Sequence, residues 1–313
     1  MMARQTIRRF GAGIFLTCAV ASCDVSPTSN RGQPVGGSGT ATPVAQPTSE
    51  ASAELRSYLA QVQSAQLSQG LLRDDGGGPD TPFTADMLAR NFEQIVFYNE
   101  YANALQGRGG QSPLRRWAGP VRVSTVFGKS VSASQRQQDE QNTRDYARRL
   151  ARITGHPVST FGKPNFVVVF AGEDDRDEAL DMAAGRISGI SSASLDPLRQ
   201  LDRDTYCVVA AYASGRDPST YTAAVALIRA ENPGLLRLSC IHEEMAQAFG
   251  LANDSRTARP SIFNDDDEFA LLTSHDELLL KMLYDPRLET GMSADEAAPI
   301  TRLIARELMT GPL

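Results

Sequence analysis

The stretch that decides the fold is Leu238-Ser239-Cys240-Ile241-His242-Glu243-Glu244-Met245-Ala246-Gln247-Ala248-Phe249-Gly250-Leu251-Ala252-Asn253-Asp254. Residues 235–250 read as one helix closed by Gly250. The pair His242-Glu243 invites the zinc-peptidase pattern H-E-x-x-H. In that pattern two imidazoles four residues apart hold the metal, and the Glu beside the first is the general base. Position 246 is Ala246, so a zinc site built on His242 lacks its second ligand.

Outward from this helix the chain alternates strand and helix signals. Residues 53–66 form a short helix with Leu55, Leu59 and Val62 on one stripe, followed by a Gly/Pro/Asp-rich break at 74–82. Thr84 caps a second helix carrying Met87, Leu88, Phe92 and Ile95. Residues 120–127 alternate Val121, Val123, Thr125 and Phe127, a strand pattern. Residues 133–154 are polar with a stripe of Tyr146, Leu150 and Ile153, a long amphipathic helix ended by Gly155. The apolar run Phe166–Phe170 fits a strand buried on both faces. An acidic stretch, Glu173–Asp177, opens a short helix to Ala184. Strands follow at 205–213 and 221–229, then the helix at 235–250, a loop through Phe263, and helices at 273–284 and 294–308. This order predicts an α/β (α+β) domain: a mixed sheet with helices mostly on one face.

A shift of one residue changes the reading of the central helix. Glu243-Glu244-x-x-Gln247-x-x-Gly250-x-x-Asn253 resembles, in spacing, the metzincin motif H-E-x-x-H-x-x-G-x-x-H. In this frame Glu244 aligns with the general base and Gly250 with the glycine that turns the chain back toward the metal. Glu243, Gln247 and Asn253, with Asp254 a near alternative to the last, stand where that family has its histidine ligands. Downstream, Ser261-Ile262-Phe263 resembles the turn that carries Met beneath the metal, and the stretch from Leu272 through His275-Asp276 to Tyr284 resembles the closing helix. The resemblance spans about residues 115–285 and implies a metzincin-like sheet with a long helix, an "active-site" helix and a C-terminal helix. The chain is also similar to bacterial lipoproteins that carry the domain of unknown function DUF2927. That similarity is carried by the Glu243-to-Asp254 run, the Pro260-Ser261-Ile262-Phe263-Asn264 turn, and Leu283-Tyr284-Asp285-Pro286-Arg287-Leu288 with Gly291-Met292. It supplies a family and no activity.

Glu243 and Gln247, four apart, share a helix face. Glu243, Glu244, Gln247, Asn253 and Asp254 offer oxygen and amide groups but no imidazole or thiolate. Three uses follow. The set can brace the helix as a buried hydrogen-bond network, which requires no metal and no cofactor. Glu243, Gln247, Asn253 and Asp254 can hold a hard cation, Ca²⁺ or Mg²⁺. Or Glu243 and Glu244 can serve acid/base catalysis. His242 is expected to pack near the helix N-terminus, His275 to start a helix beside Asp276, and His156 to be exposed in its Gly-His-Pro turn. The acidic run Asp265-Asp266-Asp267-Glu268 lacks the glycine and spacing of a calcium loop and reads as a solvated loop. There is no Gly-rich phosphate loop before a helix and no G-x-S-x-G elbow.

The N-terminus sets the expected location. Arg4, Arg8 and Arg9 precede an uncharged, mostly apolar run from Phe10 to Ala21, too short to span a bilayer of roughly 30 Å. Val20-Ala21-Ser22-Cys23 resembles the bacterial lipobox, which implies a signal peptide at 1–22 and Cys23 as the lipidated (palmitate-bearing) first residue of the mature chain. Asp24 tilts the expectation toward the inner membrane. Residues 23–52 are rich in Ser, Thr, Gly, Pro, Gln and Ala and read as a disordered tether, leaving 53–313 as one globular domain. Without residues 1–22, 28 basic residues face 37 acidic ones, a charge of −9 that argues against nucleic-acid partners. Cys207 and Cys240 in an oxidising periplasm are most simply a disulfide, with two free buried thiols as the alternative. The expectation is therefore a periplasm-facing lipoprotein, partnered by its membrane through the lipid anchor. It would be a non-catalytic pseudo-metallopeptidase that holds a peptide or cell-envelope glycan, or alternatively a hydrolase working through Glu243 and Glu244 with or without a hard cation.

Overall fold

In a computed structural model the described residues are 48–99, 110–213 and 217–310. The expectations for the leader, Cys23, Asp24 and nearly all of the tether lie outside them. The order of elements is α1 (Glu50–Ser68), α2 (Ala85–Val96), β1 (Arg116–Trp117), β2 (Val121–Phe127), α3 (Ala133–Thr154), β3 (Val158–Ser159), β4 (Phe166–Ala171), α4 (Arg176–Arg186), a 3-10 turn (Ser192–Leu195), α5 (Asp196–Arg199), β5 (Cys207–Ala213), β6 (Thr220–Arg229), α6 (Gly234–Phe249), α7 (Ser274–Leu283) and α8 (Ala294–Thr310). No helix among the described residues is long and apolar enough to cross a membrane.

The strands form one mixed sheet. Parallel neighbours run β3-β2-β4-β6, with β1 beside the start of β6. β5 lies on the other side of β6 and is the antiparallel member. The continuous apolar run of β4 is explained by alternation between two cores. Phe166, Val168 and Phe170 join the large core with α2, α3, α6, α7 and α8. Val167, Val169 and Ala171 join a smaller one under α4 and the turn at 192–199. Helices therefore lie mostly on one face, as the sequence predicts.

Several boundaries move for local reasons. α1 starts at Glu50 because the Ser49 hydroxyl accepts from the Ser52 N–H and caps it, although the composition there is that of a tether. The Ser52 hydroxyl is itself buried, donating to Glu231 Oε1 at 2.6 Å. α4 starts at Arg176, later than the acidic stretch suggests, because Asp175 stays at the strand end, where its carboxylate accepts from the Gly172 and Ser130 N–H groups. The pieces β1, β3 and α5, all under five residues, carry no periodic signal and are absent from the sequence reading.

Beyond the carboxyl ends of β2, β4 and β6 the polypeptide packs charge against strand-end carbonyls. Arg229 pairs with Glu173 and donates to the carbonyls of Thr205, Leu201 and Asp202. Arg237 pairs with Asp139 at 3.2 Å and donates to the carbonyls of Ala230 and Asn232. α1 roofs this region through Ser52 and through Arg56, which donates to the Ala230 carbonyl.

Candidate functional site

α6 is positioned by three devices that its own sequence does not contain. Its first turn follows Pro233 and has no side-chain cap of its own. The Gln63 carbonyl of α1 supplies one, accepting from the N–H groups of Leu235 and Leu236 at 3.1 and 3.0 Å. At the other end the Trp117 indole N–H donates to the Ala248 carbonyl and the Tyr284 hydroxyl to that of Phe249. Gly250 then has φ +120°, and a Cβ placed there would lie 2.4 Å from the Arg115 carbonyl oxygen, so both conformation and space require glycine.

The disulfide is formed: Cys207 on β5 joins Cys240 on α6, with Cα atoms 5.9 Å apart. Cys240, Glu243 and Glu244, at i, i+3 and i+4, share a helix face. A carboxylate oxygen of Glu243, one of Glu244 and the sulfur of Cys207 all lie within 4.8 Å of one another. Glu244 and Gln247 are buried, whereas Glu243 and Cys207 are half-buried and border solvent. Each of Glu243, Glu244, Gln247 and Asp254 has an interaction partner. Asn253 sits past the helix end, its amide donating to the carbonyls of Gln94 and Asp254 at 2.9 and 2.8 Å. Of the residues singled out from sequence, Glu243 and Glu244 thus meet beside the disulfide, and Asn253 is engaged in bracing the loop. Cys207 beside the acid pair follows from the expected disulfide, because Cys240 stands three and four residues before Glu243 and Glu244 on one helix face.

The histidines are structural. His242 lies in the middle of α6 and not near its N-terminus as expected, because it is held there between Tyr146 and the Leu272 backbone. Its ring stacks on Tyr146 at 4.1 Å and Nδ1 accepts from the Leu272 N–H at 3.1 Å. Burial, with Arg149 nearby, drives its pKa down to about 3, so the ring is neutral. His275 is fully buried, 3.0 Å from the Asn91 amide and edge-on to Phe83. Its neighbour Asp276 is committed elsewhere. One oxygen accepts from the Ser261 hydroxyl, the other from the Ile262 and Thr273 N–H groups and the Thr273 hydroxyl. That carboxylate ties the Ser261-Ile262-Phe263 turn to the first turn of α7, where Thr273 and Asp276 form a capping box. His156, expected to be exposed, is half-buried because its ring packs 5.0 Å from that of Tyr284, and burial lowers its pKa.

The acidic run is more than a solvated loop. Arg259 and Arg73 pair with Glu268, Arg256 with Asp265, and the backbone carbonyls of Asp267 and Glu268 accept from Leu72 and Arg73. Its carboxylates serve to fasten this loop to the segment after α1.

No curated protein and no solved structure gives a significant match to the chain. A family described as "Protein of unknown function (DUF2927)" matches residues 85–303, which takes in α2 to α7, the whole sheet and the start of α8, and leaves α1 outside. The match covers more than two thirds of the sequence, and the chain belongs to the DUF2927 family.

Proposed function

We propose that this protein is a non-catalytic binding protein of the cell envelope, lipid-anchored at Cys23, facing the periplasm, and holding a peptide or envelope glycan along the α6–β5 face. The observation that carries the non-catalytic reading is the fate of the imidazoles. His242 is buried against Tyr146 and Leu272, His275 against Asn91 and Phe83, and Ala246 stands where a second zinc ligand would be needed. What remains on α6 is Glu243 at the solvent border with the buried Glu244 behind it, a donor set suited to hydrogen-bonding a polar ligand. The metzincin-like arrangement is part of the same proposal, supported by the motif spacing, the requirement for glycine at 250 and the tie between the 261–263 turn and α7.

A second reading keeps hydrolysis. It is favoured by the proximity of the Glu243 and Glu244 carboxylates, since two acids this close can share a proton or a hard cation, with Gln247, Asn253 and Asp254 as further oxygen donors. Glu244→Gln in the full chain separates the two. Loss of hydrolysis of peptide or glycan substrates with unchanged thermal unfolding would establish the enzyme. A lowered unfolding temperature, with wild type hydrolysing nothing, fits the binding protein. The anchor has its own test: Cys23→Ser should leave the chain unprocessed or released from membranes, and normal processing and fractionation of that variant would refute lipidation.

A further inference from the structure

We propose that opening the Cys207–Cys240 disulfide converts the acid-bearing face of α6 into a site for a thiophilic divalent cation such as Zn²⁺. Its four ligands are Cys207, Cys240, Glu243 and Glu244. The inference concerns regulation of the same face as the proposed function and rests on that reading only for the accessibility of the face.

The geometry is assembled by two elements that the disulfide does not itself hold in place. Cys207 begins β5 and is paired in the sheet with Ile228, while Cys240 lies inside α6 in the large core. Breaking the S–S bond therefore leaves both sulfurs facing each other, on Cα atoms 5.9 Å apart. Two thiolates on one tetrahedral zinc, with Zn–S near 2.3 Å, sit about 3.8 Å from one another. Rotation of the two side chains reaches that separation without moving the backbone. The Glu243 and Glu244 oxygens already lie within 4.8 Å of the Cys207 sulfur and of each other, and closing by about 1 Å brings them to tetrahedral spacing; the Cys240 sulfur lies outside that group and has to swing toward it as the S–S bond opens. The Asn232 amide, 3.6 Å from the Cys240 sulfur, is an outer donor that would steady a thiolate there. Cys207 and Glu243 reach solvent, giving the cation and a reductant a way in.

The chemistry is a thiol exchange followed by metal binding. A dithiol reductant attacks the more accessible sulfur, that of Cys207. Cys240 leaves as thiolate, and the mixed disulfide resolves as the reductant closes its own S–S bond. Two electrons pass to the protein, leaving two thiols, whose protons are released as the cation binds. With the disulfide closed the face offers oxygen donors alone, which favour hard cations. With it open, two thiolates shift the preference to Zn²⁺ or Cd²⁺.

The test uses the full chain, oxidised, or reduced by a dithiol that is then removed without oxygen. Zinc alone is offered in equilibrium dialysis, and cadmium in parallel for its thiolate charge-transfer absorption. We expect one ion per reduced chain, bound at least 100-fold more tightly than by the oxidised chain, with cadmium–thiolate absorption. Glu243→Gln with Glu244→Gln should weaken binding by the reduced chain at least 10-fold. Equal binding by both redox forms, or none by the reduced form, overturns the proposal. So does zinc held as tightly by the reduced Gln variant, the result expected if the thiols bind in an unfolded chain. None of these readouts depends on hydrolysis or peptide binding, so the proposed function can fail while this inference stands.

Discussion

Two charged regions meet α6, and they use charge differently. Beyond the carboxyl ends of the parallel strands, where α/β sheets commonly bind ligands, the space is sealed. Arg229 pairs with Glu173 and Arg237 with Asp139, both arginines donate to loop carbonyls, and Ser52, on Glu231, and Arg56 of α1 close the roof. Burial raises the pKa of Asp139 and lowers that of Arg237, so their attraction does not fully offset desolvation. Along the α6–β5 border, by contrast, a half-buried carboxylate, Glu243, and a buried one, Glu244, lie close together next to a disulfide. A buried charge whose partners are an opposite charge and loop carbonyls marks a structural plug. Like charges gathered at a half-open edge mark a place for chemistry.

Four measurements separate the two regions, with the greatest change expected first. His242 belongs to the dry side of α6. Its folded pKa of about 3 lies below the ordinary 6.5, so between these values the unfolded chain takes up a proton that the native one does not. Stability is then full above pH 6.5 and falls as pH drops toward 3, by on the order of 5 kcal/mol from this group. Urea unfolding across that range, with the His242 ring followed by NMR, checks it, and titration near 6.5 in the folded chain would mean that α6 is wetter than described. Next, Arg237→Met strands Asp139 and should cost about 4 kcal/mol in urea unfolding; less than about 1 kcal/mol would mean that the crevice is open to water and available to a ligand. Gly250→Ala should cost about 3 kcal/mol through positive φ and the approach of the Arg115 carbonyl, seen as a drop in unfolding midpoint. Finally, Gln63→Ala removes the acceptor for two N–H groups of α6 and should cost about 1 kcal/mol, read from the melting temperature. An unchanged value there would detach α1 from the positioning of the site.

Much of the fold was legible because its signals are local. The cap at Thr84, the glycine stops at 155 and 250, and the double-sided run of β4 each act within a few residues. The two-residue strands β1 and β3 were not legible, since they are strands only by virtue of the neighbours they pair with. Of the candidate site, Glu243 and Glu244 could be picked out by spacing. Cys207 follows from the expected disulfide to Cys240 on the same helix, but the closeness of its sulfur to both carboxylates, 36 residues from Glu243 in the chain, is set by how β5 and α6 pack.

Residue order alone fixes which of the longer segments are helix and strand, that the central helix lacks a second histidine, and that glycine closes it. Those properties follow from backbone preference and residue identity over a few positions. Only the tertiary structure decided that His242 and His275 turn inward, that Asp276 serves a turn, and that α1 caps α6. It alone also brought the Cys207 sulfur within 4.8 Å of both carboxylates. These depend on burial and on contacts between residues distant in the chain, where desolvation selects partners that no local pattern encodes.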